Sequence, residues 1–156
     1  MTTNPKLEVT DIPDPIARGW ILDGLAQSNR AQVREPGLRN LVVLIKHPTT
    51  GRLLGGLWGR TSWDWLLIEL LYVVRAWRGS GWGKRLVRAA EEEAIRRQCR
   101  AVWVDSYSFQ APGFYERLGY TVFGALDDYP TGHQRFFLQR KLVNRVDPAL
   151  HANEHI

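Results

Sequence analysis

The sequence predicts an α/β (α+β) domain: a mixed, mostly antiparallel central sheet flanked by helices. Three observations predict it. Short β-branched or apolar runs are bounded by turn residues, two stretches carry apolar residues at helical spacing, and a strand–helix–strand crossover follows a run of antiparallel strands. The order reads β-α-β-β-β-α-β-α-β-β, and such a sheet holds its ligand where the strand pattern changes.

"LEVT" (7–10) predicts a short edge strand. Pro13 and Pro15 open a helix over 16–31, with Trp20, Ile21, Leu22 and Leu25 at roughly helical spacing, and "EPG" (35–37) breaks it. "LVVLIKH" (41–47) reads as a strand and "PTTGR" (48–52) as a turn. "LLGGLWGRTSW" (53–63) is a second strand whose glycines predict twist or bulges, and "TSWD" (61–64) turns the chain again. "WLLIELLYVV" (65–74) is the strongest strand pattern. From Gly81 to Gln98 the period becomes helical: Gly83, Val87, Ala90 and Ala94 form one stripe, with Lys84, Arg85, Arg88, Glu91, Glu92 and Arg96 elsewhere. "AVWVDS" (101–106) is a strand and "APGFYERLG" (111–119) a short helix ending at Gly119. "YTVFGAL" (120–126) and "RFFLQRKLV" (135–143) are strands joined by the polar "DDYPTGHQ" (127–134). The expectation is one domain over 1–156, with a core at about 5–143 and a poorly packed tail at 144–156.

Composition narrows the partners. The net charge of +5 favours an anionic partner such as a phosphorylated cofactor, a nucleic acid or an acidic surface. One cysteine, Cys99, excludes a disulfide within the chain and points to a reducing compartment; a packed thiol is the expectation. The N-terminal stretch has no apolar signal region, and no run approaches the ~18 apolar residues of a membrane span. The cytoplasm is the expected location, with no membrane partner.

The stretch that carries chemistry is "RAWRGSGWGKRL" (75–86), where glycines and cations meet between a strand and a helix. Gly79, Ser80, Gly81 and Gly83 let backbone N–H groups approach an anion, and the helix start favours negative charge. Two familiar phosphate loops fail here. A P-loop counted back from Gly83–Lys84 needs glycine at 78 and a hydroxyl residue at 85, and both are arginine. The dinucleotide fingerprint needs glycine at 84 from Gly79, or glycine or alanine at 86 from Gly81; those positions hold Lys84 and Leu86.

What fits is R-x-x-G-x-G, met by Arg78, Gly81 and Gly83 after a valine-rich strand end. "SFQAPGFYERLGY" (108–120) fits a second pattern, N-x-x-A-x-x-[FL]-Y-x-x-x-G-[FY], at Ala111, Phe114, Tyr115, Gly119 and Tyr120. Together they resemble the acetyl-CoA signatures of the GNAT superfamily, the GCN5-related N-acetyltransferases, over roughly residues 5–143. Two departures stand out: Arg75 replaces the usual proline of V-x-P, and Ser108 replaces the asparagine that helps hold pantetheine.

The resemblance implies a splayed cofactor cleft and acetyl-CoA as acetyl donor. The backbone of 78–84, Trp82 included, would cradle the pyrophosphate, with Arg78, Lys84 and Arg85 as charge partners. Pantetheine would pair with the backbone of Leu71, Tyr72 and Val73 and contact Ser108, Ala111 and Phe114. No metal is implied, and the four histidines are scattered.

Acetyl transfer needs a neutral amine, donors for the oxyanion and a proton for the departing thiolate. Glu69 is the candidate base. It is the charged residue within "WLLIELLYVV", and strict alternation sets it on one face with Trp65, Leu67, Leu71 and Val73. Burial there would push its pKa upward. A structural ion pair or a bulged, solvent-facing position is the competing reading. Tyr115 matches the family tyrosine near the thioester sulfur, a candidate general acid, and the resemblance gives Val73 N–H as oxyanion donor.

The acceptor, a primary amine of a small molecule or a protein, stays open. Candidate walls are 14–32, 60–65 and 127–134, with Trp63, Trp65 and Tyr129 as candidate lining and Asp127 and Asp128 as candidate attractors of a cation. "LDDYPTGHQRFFL" (126–138) resembles a bacterial subgroup labelled histone-acetyltransferase-like. A homodimer is compatible with the resemblance. Two other readings stand beside it: a CoA-binding sensor without turnover, and a basic nucleic-acid-binding module, although no recognised nucleic-acid motif is present.

Overall fold

The computed structural model describes residues 4–142. The chain divides into two compact units, Met1–Glu35 and Pro36–Ile156. The first holds helix α1, Pro15–Asn29. Asp14 caps it, its carboxylate accepting from Ile16 N–H at 2.9 Å, and Pro15 supplies a preset φ at the first position. The strand expected at Leu7–Thr10 does not form. Four residues offer few ladder bonds, and Leu7 and Val9 stay exposed, so no burial offsets the lost chain entropy. The expected tail at 144–156 lies outside the described residues.

The second unit holds a six-stranded sheet: β1 (Arg39–Lys46), β2 (Leu53–Ser62), β3 (Trp65–Val73), β4 (Ala101–Tyr107), β5 (Thr121–Asp127) and β6 (Gln134–Lys141). Its order is β1-β2-β3-β4-β6-β5. β3 and β4 run parallel, and the other neighbours are antiparallel. The β2–β3 turn is the expected one: Trp63 and Asp64 both have positive φ, 44° and 66°, which matches the twist of a two-residue hairpin. Helix α2 (Trp82–Arg96) makes the crossover from β3 to β4, and α3 (Pro112–Arg117) follows β4.

β3 does not alternate strictly. Trp58 pairs with Leu70 while Gly59 pairs with Ile68, so Glu69 is the extra residue of a bulge. A Cβ at Gly59 would collide with the Leu67 carbonyl oxygen, which is why glycine stands beside the bulge. The bulge shifts the alternation by one. Val73 therefore joins Leu66 and Ile68 on the buried side, and Leu71 packs against the same core.

The core forms between the sheet and α2. Leu41, Leu57, Leu66, Ile68, Val102 and Leu138 meet Leu86, Val87, Ala90 and Ala94. Glu91, expected away from the apolar stripe, is only 4% exposed. Its burial is compensated from three directions. Arg88 Nη1 lies 2.6 Å and Arg140 Nη1 2.7 Å from Glu91 Oε2, and the Tyr120 hydroxyl donates to Oε1 at 2.9 Å. Arg88 also donates to the Leu118 carbonyl at 3.1 Å. One carboxylate thus ties α2, the end of α3 and β6 together. Removing it leaves two partly buried guanidiniums without their acceptor. Glu91→Ala is expected to lower stability by about 3 kcal/mol, read as a lower urea midpoint at unchanged m-value.

Candidate active site

β3 and β4 pair over four positions, Trp65–Ile68 with Ala101–Val104, and then separate. β3 continues to Val73 and β4 to Tyr107, and between them opens a cleft of about 770 Å³. Glu69, Leu70, Leu71, Tyr72 and Val73 line it from β3, and Asp105 and Ser106 from β4. Phe109, Gln110, Ala111, Phe114 and Tyr115 line it from the segment that follows, and Arg78 and Gly83 from the glycine loop. The free edge of β3 is a row of backbone groups without a strand partner on this side. Val74 N–H donates to Leu54 O on β2, so alternation turns the Val73 and Leu71 groups toward the cleft.

The glycine loop meets the cleft at its β3 end. Gly79 and Gly81 have φ of 77° and 84°, and a Cβ at either would meet nothing within 4 Å. Their glycine identity answers to backbone conformation, and the space beside them is open. Gly81 caps α2 without a side chain, and the first intrahelical bond runs from Arg85 N to Gly81 O. The N–H groups of Trp82, Gly83 and Lys84 precede that bond and point off the helix start. This is a fitting cradle for a pyrophosphate.

Two loop residues depart from expectation. The Arg78 Nε donates to Val73 O at 2.8 Å and its guanidinium lies 5.5 Å from the Tyr72 ring, so Arg78 also braces the end of β3. Gly83 serves packing: a Cβ there would lie 3.3 Å from the Phe114 ring, so its small size lets α2 and α3 meet. Ser80 Oγ donates to Trp77 O at 2.9 Å, closing the loop on itself. Lys84 and Arg85 are exposed, and Arg85 stacks 3.9 Å from the Trp82 ring centre.

Glu69 is in the cleft but not in the expected environment. The bulge brings it out of the sheet's buried face, and its Oε1 lies 3.1 Å from Arg60 Nη1 on β2, with 30% of its side chain exposed. The expected burial is therefore replaced by an ion pair at the cleft wall. Tyr115 lines the cleft from α3, buried with Phe114 and Tyr120 rings edge-on at 5.0 and 5.5 Å. Burial, and secondarily the charge of Asp105, push its phenol up to about 12. It stays protonated at neutral pH.

Ser108 does not line the cleft. Its Oγ accepts from Gln134 N–H at 3.1 Å and lies 3.2 Å from His133 Nδ1, so the hydroxyl is engaged with the start of β6. Gln110 lines the cleft instead, its amide oxygen accepting from Tyr107 N–H at 3.1 Å. Trp63 and Trp65 sit at the opposite end of β3 from the cleft. Asp127 and Asp128 make bonds within their own loop, to Gln134 at 2.6 Å and Gly132 N–H at 3.2 Å. Sequence reasoning missed Asp105, Phe109 and Gln110. They stand just before or within the second motif, at positions where its pattern prescribes no residue.

Two outcomes follow from this geometry. Arg78→Ala and Gly81→Glu are each expected to weaken acetyl-CoA binding by at least about tenfold, measured by titration calorimetry. The raised Tyr115 pKa means that above pH 10 the unfolded chain gives up a proton the fold retains, so stability falls as pH rises toward 12. The urea midpoint should decline over that window, and less steeply in Tyr115→Phe.

Comparison with known proteins agrees with the cleft. Residues 8–120 match the model of the acetyltransferase (GNAT) family. The chain is 42% identical to the blasticidin-S acetyltransferase of Streptomyces morookaense over 93 residues, 59% of this chain and 68% of that one. It is 34% identical to an acetyltransferase of Agrobacterium fabrum over 133 residues, 85% of this chain and 96% of that one. The crystal structure of an acetyltransferase from Bacillus cereus superposes with a TM-score of 0.78 at 28% identity, covering 86% of this chain and 98% of that chain. These relatives carry antibiotic or general acetyltransferase names, in place of the histone-acetyltransferase-like label read from 126–138. No helix of the described residues is long and apolar enough to cross a membrane. The chain belongs to the acetyltransferase (GNAT) family and is an acetyl-CoA-dependent N-acetyltransferase.

Proposed function

We propose that the chain acetylates a primary amine on a small molecule of the kind represented by blasticidin S, with Glu69 as base and Tyr115 as acid. The observation that carries the reading is the cleft itself: a carboxylate on the β3 bulge and a protonated phenol on α3 line one cavity beside an open strand edge. The 42% identity to a blasticidin-S acetyltransferase favours a small acceptor over a protein.

In this reading Glu69, directly or through water, takes a proton from the acceptor ammonium, and the neutral amine attacks the acetyl carbon. The N–C bond forms and the C–S bond breaks. The Val73 N–H, turned to the cleft side, donates to the carbonyl oxygen as it gains charge. Tyr115 gives its proton to the departing sulfur and is restored by the second proton that nitrogen sheds. One proton leaves to solvent per turnover. A phenol near 12 is a poor acid toward free thiolate, whose thiol has a pKa of about 8.5. Tyr115 therefore acts by hydrogen-bonding the sulfur during bond cleavage, with proton transfer completed as nitrogen loses its own. Pantetheine would lie along Leu71–Val73 and between Ala111, Phe114 and Gln110, with the pyrophosphate of the coenzyme against 78–84.

The test is thiol release from acetyl-CoA with blasticidin S, aliphatic amines and a lysine peptide as acceptors. Release with small amines and none with the peptide is expected; release with the peptide alone would reverse the acceptor assignment. Binding of acetyl-CoA without release would make the chain a sensor. Tyr115→Phe should lower kcat by about a hundredfold with acetyl-CoA affinity retained. Glu69→Gln should lower kcat with acetyl-CoA affinity retained, whereas an unchanged kcat would place the base elsewhere.

A further inference from the structure

Where β3 and β4 part, each strand places a carboxylate at the same level. Ile68 pairs with Val104, so Glu69 and Asp105 are the next residues on the separating strands, and both line the cleft. Each is held from the outer side by an arginine on the neighbouring strand. Arg60 of β2 holds Glu69 at 3.1 Å, and Arg135 of β6 donates from Nε to Asp105 Oδ2 at 2.7 Å. Neither guanidinium is among the residues that line the cleft. Both carboxylates thus line the substrate space, and the arginines that hold them do not. The transfer chemistry uses one carboxylate, and Asp105 has no part in it.

Asp105 is fixed in place. The Arg135 guanidinium that holds it is itself set among the Tyr107, Tyr129 and Phe137 rings at 5.3, 5.5 and 5.5 Å. Asp105 and Tyr115 line the same cleft. Phe109 also lines the cleft, 56% exposed and stacked on Tyr107 at 5.1 Å. A carboxylate beside an apolar wall suits a cation joined to a short alkyl segment.

We propose that Asp105 is a specificity-determining residue that binds a second cationic group of the acceptor, so the preferred acceptor is a small dicationic amine. One amine is deprotonated at Glu69 and acetylated. The other stays charged against Asp105, and the alkyl spacer lies on Phe109. This rests on the acetyl-transfer reading above and adds the acceptor's second charge to it.

The experiment compares 1,4-diaminobutane with n-butylamine, two acceptors of equal chain length and different charge, by thiol release at saturating acetyl-CoA. The wild-type protein is expected to show at least about a tenfold higher kcat/KM for the diamine, carried by KM and eroded by added salt. Asp105→Asn should bring the ratio close to one by raising the diamine KM, and Asp105→Glu should restore part of it. A merely structural role would lower kcat for both amines alike and leave the ratio intact. Equal kcat/KM in the wild type, or an unchanged ratio in Asp105→Asn, overturns the inference and leaves acetyl transfer standing. No thiol release with any amine overturns the transfer reading and this inference with it. If Asp105→Asn does not fold, the wild-type ratio and its salt dependence decide.

Discussion

Everything functional in this chain depends on a sheet that is made to come apart. Parallel strands gain by pairing along their whole length, and β3 and β4 stop after four positions. The backbone groups left over on β3 must still find partners, because unpaired peptide groups in a partly buried cleft are costly. The cleft is thus a deficit of hydrogen bonds held open by the fold, and an amide-bearing chain such as pantetheine makes good that deficit. In the proposed arrangement such a chain is recognised through the β3 backbone, and neither Arg75 nor Ser108 is among the residues that line the cleft.

Helix α3, which follows β4, builds the far wall of the cleft and contributes Phe114 and Tyr115 to the lining. It is only six residues long, too short to be stable by itself. Its anchorage comes from Gly83, which lets Phe114 approach α2, and from the buried Glu91, which gathers Arg88, Arg140 and the Tyr120 hydroxyl. A buried charge is expensive unless it is well compensated, and here three donors bond the carboxylate. The phenol of Tyr115 inherits its position from this network, five residues from Tyr120 along the chain.

The parts that were legible in the sequence are those whose signals are local. Glycines beside a helix start, a valine-rich strand end and the Ala111–Tyr120 pattern point to the fold, and to a glycine loop and a tyrosine that line the cleft. The parts that were not legible depend on partners distant in sequence. Nothing in "WLLIELLYVV" shows that Glu69 takes the bulge, because that is decided by the approach of Leu67 to Gly59 across the hairpin. The helical stripe left out Glu91, because its burial needs Arg140, which comes 49 residues later. Asp105 reads as one more residue of the 101–106 strand, and its place in the cleft depends on β4 parting from β3. "LEVT" failed for the opposite reason: a local pattern with no burial to support it.

The single cysteine has a consequence for the chemistry of the coproduct. Each turnover releases a free thiol, and such thiols exchange readily through their disulfides with accessible protein thiolates. Cys99 is 1% exposed, and burial first, then the charge of Asp64, push its thiol above the ordinary range. The chain therefore presents no accessible thiolate that could attack oxidised coenzyme, and the resting enzyme is insulated from the redox state of the pool whose thiol it generates.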